Sequence, residues 1–375
     1  MRKGMTLIAT AAIATIALAG CGSSSSSGTS GSGGTTSGSS KSSGGAIDGK
    51  GAKVGIILPD TISSPRWVSS DPTALKADCK QYNLQCDIQN ANGSASTMKT
   101  IANGMINNKV KVLMIVNLDP ASGAAIEKQA EKNGVITVDY DRLTAGGGAS
   151  LYVSFDNVKV GQLQGQTLTQ CSQVKGKSKV DYAQIDGAAT DNNATLFKQG
   201  YASVLSKTPG WTKVAEQDGQ WDAPTAGREF NQMLNSDKNI KAVMVANDTM
   251  AGAVITDLKN QKLNGQVAVS GQDATAAGLQ QIMLGNQCFT IYKPTTGEAG
   301  PAIKAVAQLI NGQAPSTNGV TVSDPKTGKK IPAILATPIA ITKANVAKPI
   351  NDGYDPKSSV CTSQFASLCS KNGVK

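Results

Sequence analysis

Residues 135–142 read Val-Ile-Thr-Val-Asp-Tyr-Asp-Arg, and the chain runs on through Leu-Tyr-Val-Ser-Phe-Asp-Asn at 151–157. The first four residues are all β-branched, which suits a buried strand. Tyr140, Asp141 and Arg142 then stand at its carboxyl end, the edge where open α/β sheets bind their ligands. A carboxylate, a guanidinium and an aromatic ring together can hold a molecule with hydroxyl groups and apolar faces. The plainer reading is a structural ion pair between Asp141 and Arg142. The rest of the chain decides between them.

On both sides of this stretch, short apolar runs alternate with segments of helical period. Strands are expected at 53–59, 86–91 and 110–117, and helices at 66–82, 94–108 and 121–133. After the Ser-Phe-Asp-Asn the alternation restarts, with strands at 179–186, 212–217, 240–248, 266–273 and 288–294. Helices fall between them at 158–171, 193–206, 224–234, 250–259 and 274–284, and a last pair of elements covers 297–311 and 331–341. Unbroken apolar strands in this order predict parallel sheets covered on both faces, in two similar α/β lobes.

Polar residues gather at the expected strand ends. The first lobe offers Asp60, Asn117, Asp141 and Arg142; the second offers Asp186, Trp221, Asn247, Asp248, Asp273 and Lys293. Loops near the strand starts are blander. Asp and Asn at such places often cap helices, and Asp248, followed by Thr249 and a helix, reads as a cap. The coincidence across both lobes points instead to two carboxyl edges facing one cleft. Trp67 and Trp221 fall in strand-to-helix loops of that edge, whereas Trp211, just before a strand, reads as packing.

Composition removes several function classes. Histidine is absent, which excludes Ser-His-Asp and Cys-His catalysis and the commonest zinc ligand. Net charge is +10, with lysines scattered and aromatic residues at 4%, unlike the concentrated basic face of a nucleic-acid binder. Gly146-Gly147-Gly148 does not precede a helix at the spacing of a phosphate loop, and no calcium loop of alternating Asp and Asn is present. Neither a cofactor nor a metal is expected, and no catalytic residue.

Residues 1–20 read as a signal peptide, with Arg2 and Lys3 before an apolar run from Met5 to Ala19. The run is short for a stable membrane span. Its end, Leu18-Ala19-Gly20-Cys21, resembles the lipobox of bacterial lipoproteins, which implies cleavage before Cys21 and lipid attachment there. A Ser/Gly-rich stretch then follows; 21–50 is expected to be a tether, whose flexible part spans about 25–30 Å as a random coil. Such a chain lies outside the cytoplasm, anchored to the outer face of the membrane.

Six further cysteines, an even number in an exported chain, point to disulfides. Proximity favours Cys79–Cys86 and Cys361–Cys369, leaving Cys171–Cys288 as the long-range bridge.

Nine short motifs carry a family resemblance. They are RW at 66–67, ANG at 91–93, YDR at 140–142, YVSFDNxKVGxLQ at 152–164, TDNNAxLFxxG at 190–200, GQW at 219–221, ND at 247–248, SGQDA at 270–274 and YKP at 292–294. Together they resemble the bacterial xylose-binding proteins, type I periplasmic binding proteins of ABC sugar importers, from about Lys53 to Ile341. The resemblance implies two doubly wound parallel-sheet lobes joined by a three-crossover hinge that closes on sugar. Its lobes would comprise 51–155 plus 295–336 and 156–294 plus 337–355. Crossovers would fall near Phe155–Asn157, Pro294–Thr295 and Ala336–Pro338. The Cys-containing tail at 356–375 maps to nothing in the family pattern.

Carried over motif by motif, the sugar contacts implied are Arg66, Asp141 and Arg142 from the first lobe. The second lobe would supply Asn193, Trp221, Asn247, Asp273 and Lys293. Trp67 either joins this set or packs behind it, and Asn192 replaces Asn193 if its helix starts one residue later. The implied role is a non-enzymatic, monomeric, lipid-anchored receptor that delivers a monosaccharide, D-xylose before other pentoses or hexoses, to an ABC permease. A sensor presenting sugar to a membrane kinase would have the same cleft. A glycosidase would need an open groove with a carboxylate pair, and a sugar-responsive repressor would need a DNA-binding headpiece in place of the leader.

Overall fold

A computed structural model describes residues 47–375. The leader, Cys21 and most of the tether lie outside the described residues. Ile47–Lys50, assigned above to the end of the tether, belong instead to the fold. Ile47 packs on the first core, Gly49 N donates to Tyr82 O at 2.7 Å, and Asp48 accepts from Asn83 at 2.8 Å.

The first lobe is built from β1 (Lys53–Leu58), α1 (Ser70–Gln81), β2 (Gln85–Asn90), α2 (Ala95–Asn107), β3 (Val112–Ile115), α3 (Pro120–Lys132), β4 (Ile136–Tyr140) and β5 (Leu151–Phe155). The second holds α4 (Asn157–Thr169), β6 (Val180–Asp186), α5 (Asn192–Leu205), β7 (Trp211–Asp218), α6 (Ala223–Ser236), β8 (Ala242–Val245), α7 (Asp248–Asn260), β9 (Ala268–Val269), α8 (Ala276–Leu284) and β10 (Phe289–Tyr292). The chain returns to the first lobe for α9 (Thr296–Ile310), β11 (Thr321–Ser323) and β12 (Lys330–Ala336). It ends in the second with β13 (Ile339–Thr342), α10 (Ala347–Asn351), α11 (Lys357–Val360) and α12 (Ala366–Lys371).

The first sheet has the order β11-β12-β5-β4-β3-β1-β2, parallel except for β11, which runs antiparallel to β12. The second has the parallel order β7-β6-β8-β9. Cys288 N and Ile291 N donate to Val269 O and Gly271 O, so β10 continues that sheet beyond β9 and pairs antiparallel with β13. Every residue of β3 and β8 is buried, as expected of strands with helices on both faces.

The expected strand at 331–341 is two strands. Thr337 and Pro338 break it, because proline cannot donate to a ladder, and the halves join different lobes. The expected helix at 66–82 is also divided: Pro65–Trp67 form a single 3₁₀ turn and α1 begins at Ser70. Pro65, with its fixed φ, fits the opening of that turn.

Between α4 and α5 the backbones approach closely. A Cβ on Gly161 would stand 2.1 Å from Phe197 O, and one on Gly200 would stand 2.3 Å from Val158 O. Only glycine permits this approach, which fixes α5 against the crossover at Phe155–Asn157. Disulfides join Cys79 to Cys86, Cys171 to Cys288 and Cys361 to Cys369.

Candidate functional site

After β1 the chain folds around one carboxylate. Asp60 accepts from Ile62 N at 2.9 Å, Ser63 N at 2.7 Å and Ser63 Oγ at 2.8 Å, an Asx-type turn. Trp67 Nε1 donates to Ser63 Oγ at 3.1 Å. The loop buries both Arg66 and Trp67, with the guanidinium 4.4 Å from the indole ring.

Three carboxylates hold Arg66. Its Nε and Nη2 reach Asp71 at 2.7 and 2.6 Å, Nη2 also reaches Glu298 Oε2, and Nη1 reaches Asp141 Oδ2 at 2.9 Å. Burial works against the charge, but Asp71, Glu298 and Asp141 outweigh it and raise the Arg66 pKa. The side chain thereby ties α1, the first turn of α9 and the end of β4 to one point.

Asp141 has left-handed backbone, φ 61, directly after β4. Non-glycine residues in that region concentrate where function needs a particular side-chain direction. Its peptide oxygen accepts from Ser154 Oγ at 2.7 Å and from Asn193 Nδ2 at 2.9 Å, and Asn193 Nδ2 also reaches Oδ1 at 3.1 Å. Burial would raise its pKa, yet Lys293, Arg66 and Arg142 together hold it below the ordinary value, so the carboxylate stays ionised. Arg142 Nη1 donates to Asn117 O at 3.2 Å, and its Nε lies 3.0 Å from Asp191 Oδ2 in the other lobe.

Helix starts position the second-lobe residues. Asp191 caps α5 through Asn193 N at 2.9 Å, which places Asn193, not Asn192, against Asp141. Gln220 and Trp221 are both left-handed before α6, and Trp221 Nε1 donates to Asp191 Oδ2 at 3.2 Å. A Cβ on Gly187 would fall 2.1 Å from the Trp221 ring, so the indole occupies the space a side chain would take. Asn247, not Asp248, caps α7: its Oδ1 accepts from Met250 N at 3.0 Å, while its Nδ2 reaches Ser63 O at 2.9 Å across the cleft. Asp248 lies buried behind, bonded to Thr275 N and Gln287. Asp273, with φ 90, stands 3.1 Å from Lys293 Nζ. Asp273 and Asp141 keep that buried ammonium charged against its burial.

All nine residues expected from sequence line one narrow cavity between the lobes, with free space of about 30 Å³. Ser63, Ser64, Asp191, Phe197 and Gln272 complete it. Asp191 and Phe197 lie inside the TDNNAxLFxxG motif and Gln272 inside SGQDA, so the motifs held a signal for them; Ser63 and Ser64 had none. Trp67 lines the cavity as well as packing on Arg66. Asp60, Asn117 and Asp186, also at strand ends, do not line it and serve neighbouring loops and helices. Three cationic side chains, Arg66, Arg142 and Lys293, face three carboxylates, Asp141, Asp191 and Asp273. A lining so balanced suits a neutral ligand with many hydroxyls, and Ser64 Oγ and Gln272 Oε1 are buried without partners. Among the described residues no cluster of three or more His, Cys, Asp or Glu could hold a metal.

A family profile described as "Periplasmic binding protein domain" matches residues 54–314. The D-xylose-binding periplasmic protein of Haemophilus influenzae is 33% identical over 322 residues, covering 83% of this chain and 92% of its own. The chain belongs to the type I periplasmic sugar-binding protein family. Another D-xylose-binding periplasmic protein, from Escherichia coli, is 32% identical over 84% of this chain and 94% of its own. The solute-binding protein of Chloroflexus aurantiacus, solved in complex with D-glucose, superposes with a TM-score of 0.73 at 29% identity, covering 82% of this chain and 97% of that one. This periplasmic sugar-binding protein is a non-enzymatic, extracytoplasmic component of the ABC transporter type. Its two doubly wound lobes and three crossovers are the fold of the family.

Proposed function

We propose that the protein captures D-xylose by closing its lobes and hands it to an ABC permease, while a lipid on Cys21 keeps it at the outer face of the membrane. The observation that carries this reading is the charge-balanced cavity built from both lobes and flanked by Trp67 and Trp221. Arg66, Asp141 and Arg142 serve the sugar hydroxyls from the first lobe. Asn193, Asn247, Asp273 and Lys293 serve them from the second, and Trp221 packs on a C–H face. Two relatives named for D-xylose support the choice of sugar. The Rhizobium radiobacter relative, 28% identical, is named a multiple sugar-binding receptor, and the Chloroflexus aurantiacus structure holds D-glucose, which makes that hexose the competing ligand. The protein acts as a monomer with lobes 51–155 plus 295–336 and 156–294 plus 337–355, the first extended by 47–50 and the second by the tail at 356–375.

Calorimetry with a panel of pentoses and hexoses tests the function. Tightest binding of D-xylose is expected; tighter binding of D-glucose would reassign the substrate, and no binding of any monosaccharide would refute the reading. Replacing Cys21→Ala should release the protein from the membrane fraction, and retention there would refute the anchor.

A further inference from the structure

The segment from Asp352 to the end is unused by the sugar-binding reading, yet it shares a hydrophobic cluster with Ala274 and Tyr292, the chain neighbours of two cleft residues. Asp273 and Ala274 are successive left-handed residues, with φ 90 and 50. Such a pair without glycine is costly and persists only where its surroundings enforce it. Asp273 N donates to Ile291 O at 2.8 Å and Ala274 N to Thr290 Oγ1 at 3.1 Å, which ties the turn to β10. Ala274 is fully buried in a cluster with Ile350, Val360 and Cys369, all from the C-terminal part of the chain.

The same segment reaches Lys293 through its neighbour. Tyr354 packs edge-on against Tyr292 with ring centroids 5.0 Å apart, and Tyr292 directly precedes Lys293. Gln280 of α8 donates to Val360 O at 2.9 Å, and Lys375 N donates to Asn351 Oδ1 at 3.1 Å, so the segment is attached to α8 and folded back on α10. Its helices, α11 and α12, have four and six residues. Helices that short do not hold in water without tertiary support. The Cys361–Cys369 disulfide supplies it by joining the end of α11 to α12.

We propose that the disulfide-locked segment 352–375 is a positioning element for the Asp273–Lys293 pair. It holds the left-handed turn from behind and the end of β10 from the side, so both charged groups stay in the cavity. This rests on the sugar-binding reading of the cleft.

A double-mutant cycle tests it, reading the affinity for D-xylose, or for whichever sugar of the panel the wild type binds most tightly. Cys361→Ser with Cys369→Ser, and separately Tyr354→Leu, should each weaken binding by about tenfold, the scale of coupling between contacting groups. In an Asp273→Asn background the same changes should cause no further loss. Cys79→Ser with Cys86→Ser, on the first lobe, should leave affinity unchanged. If the cysteine variant does not fold, Tyr354→Leu carries the cycle alone. Wild-type affinity in folded segment variants, or an equal loss in both backgrounds, overturns the proposal while leaving the sugar site intact. Failure of the wild type to bind any sugar overturns the reading of the cleft itself.

Discussion

Arg142 Nε and Asp191 Oδ2 lie 3.0 Å apart, joining the end of β4 in one lobe to the cap of α5 in the other. Asn247 to Ser63 and Asn193 to Asp141 cross the same gap. These contacts join the two lobes directly across the cleft. Changing Asp191→Asn keeps a good helix cap but removes the charge. A charged hydrogen bond contributes about 1.5–3 kcal/mol, so the unliganded protein should open and its radius of gyration in X-ray scattering should rise. Saturating sugar should restore the closed value. An unchanged radius would show that this pair does not hold the lobes.

Asp141 meets Arg66 at 2.9 Å, Lys293 at 4.0 Å and Asn193 at 3.1 Å. Asp141→Ala leaves two buried cations short of a partner and removes the proposed acceptor for sugar hydroxyls. A hydrogen bond to a charged acceptor contributes about 1.5–3 kcal/mol, and this carboxylate would accept more than one sugar hydroxyl, so sugar binding should fall below detection by calorimetry. Near-normal affinity would mean that the site is misplaced. Circular dichroism should report an intact fold.

Glu298 is fully buried in the first turn of α9, with Oε2 on Arg66 and Oε1 unpartnered. Burial pushes its carboxyl up to about 8, with Asp141 and Asp71 adding to the shift and Arg66 opposing it. Below the ordinary glutamate value of 4.5 both folded and unfolded chains carry the proton, and between 4.5 and about 8 the folded chain alone retains it. Stability from this group is therefore present at low pH and is lost as pH rises through that window. Thermal melts of Glu298→Gln should decline less steeply across it than those of the wild type. Asp248, raised to about 7 by burial, adds a slope common to both proteins. Parallel curves would refute the assignment to Glu298.

The disulfides differ in the length of chain they close: Cys171–Cys288 spans 117 residues in sequence and Cys79–Cys86 spans 7. In the chain-entropy model the long bridge contributes roughly 5 kcal/mol and the short one roughly 2.5 kcal/mol. Serine pairs at each site, compared in urea, should show the larger loss for Cys171 and Cys288. Equal losses would indicate that native-state strain or residual unfolded structure dominates.

Much of this arrangement was legible because buried parallel strands announce themselves as unbroken apolar runs. Val135–Val138 marked β4 and hence the strand end at Asp141. Local backbone geometry was not legible: nothing in the composition around Asp141, Trp221 or Asp273 signals left-handed φ, which packing imposes. The capping assignment at Asn247 and Asp248 slipped by one residue because both types cap well, and the choice depends on which side chain the neighbouring Thr275 and Gln287 claim. Glu298 escaped notice because it meets Arg66 only where α9, more than two hundred residues further on, packs beside α1. Asp71 is near in sequence, but its reach to Arg66 depends on the division of the expected helix between Trp67 and Ser70. The break at Thr337 and Pro338, expected as the crossover near Ala336–Pro338, came from the family resemblance alone; read from the residues, 331–341 looked like one apolar strand, although Pro338 cannot donate to a ladder.

That break has a consequence for how the chain can be made. The eleven residues of Ile331–Ile341 supply an inner strand to one lobe and, a few residues later, the partner of β10 in the other. A chain emerging from its amino end cannot complete either lobe until this run has appeared. This topology postpones the closure of both sheets until residue 341 of 375 has been made. Truncation before Lys330 would leave both halves unfinished at once.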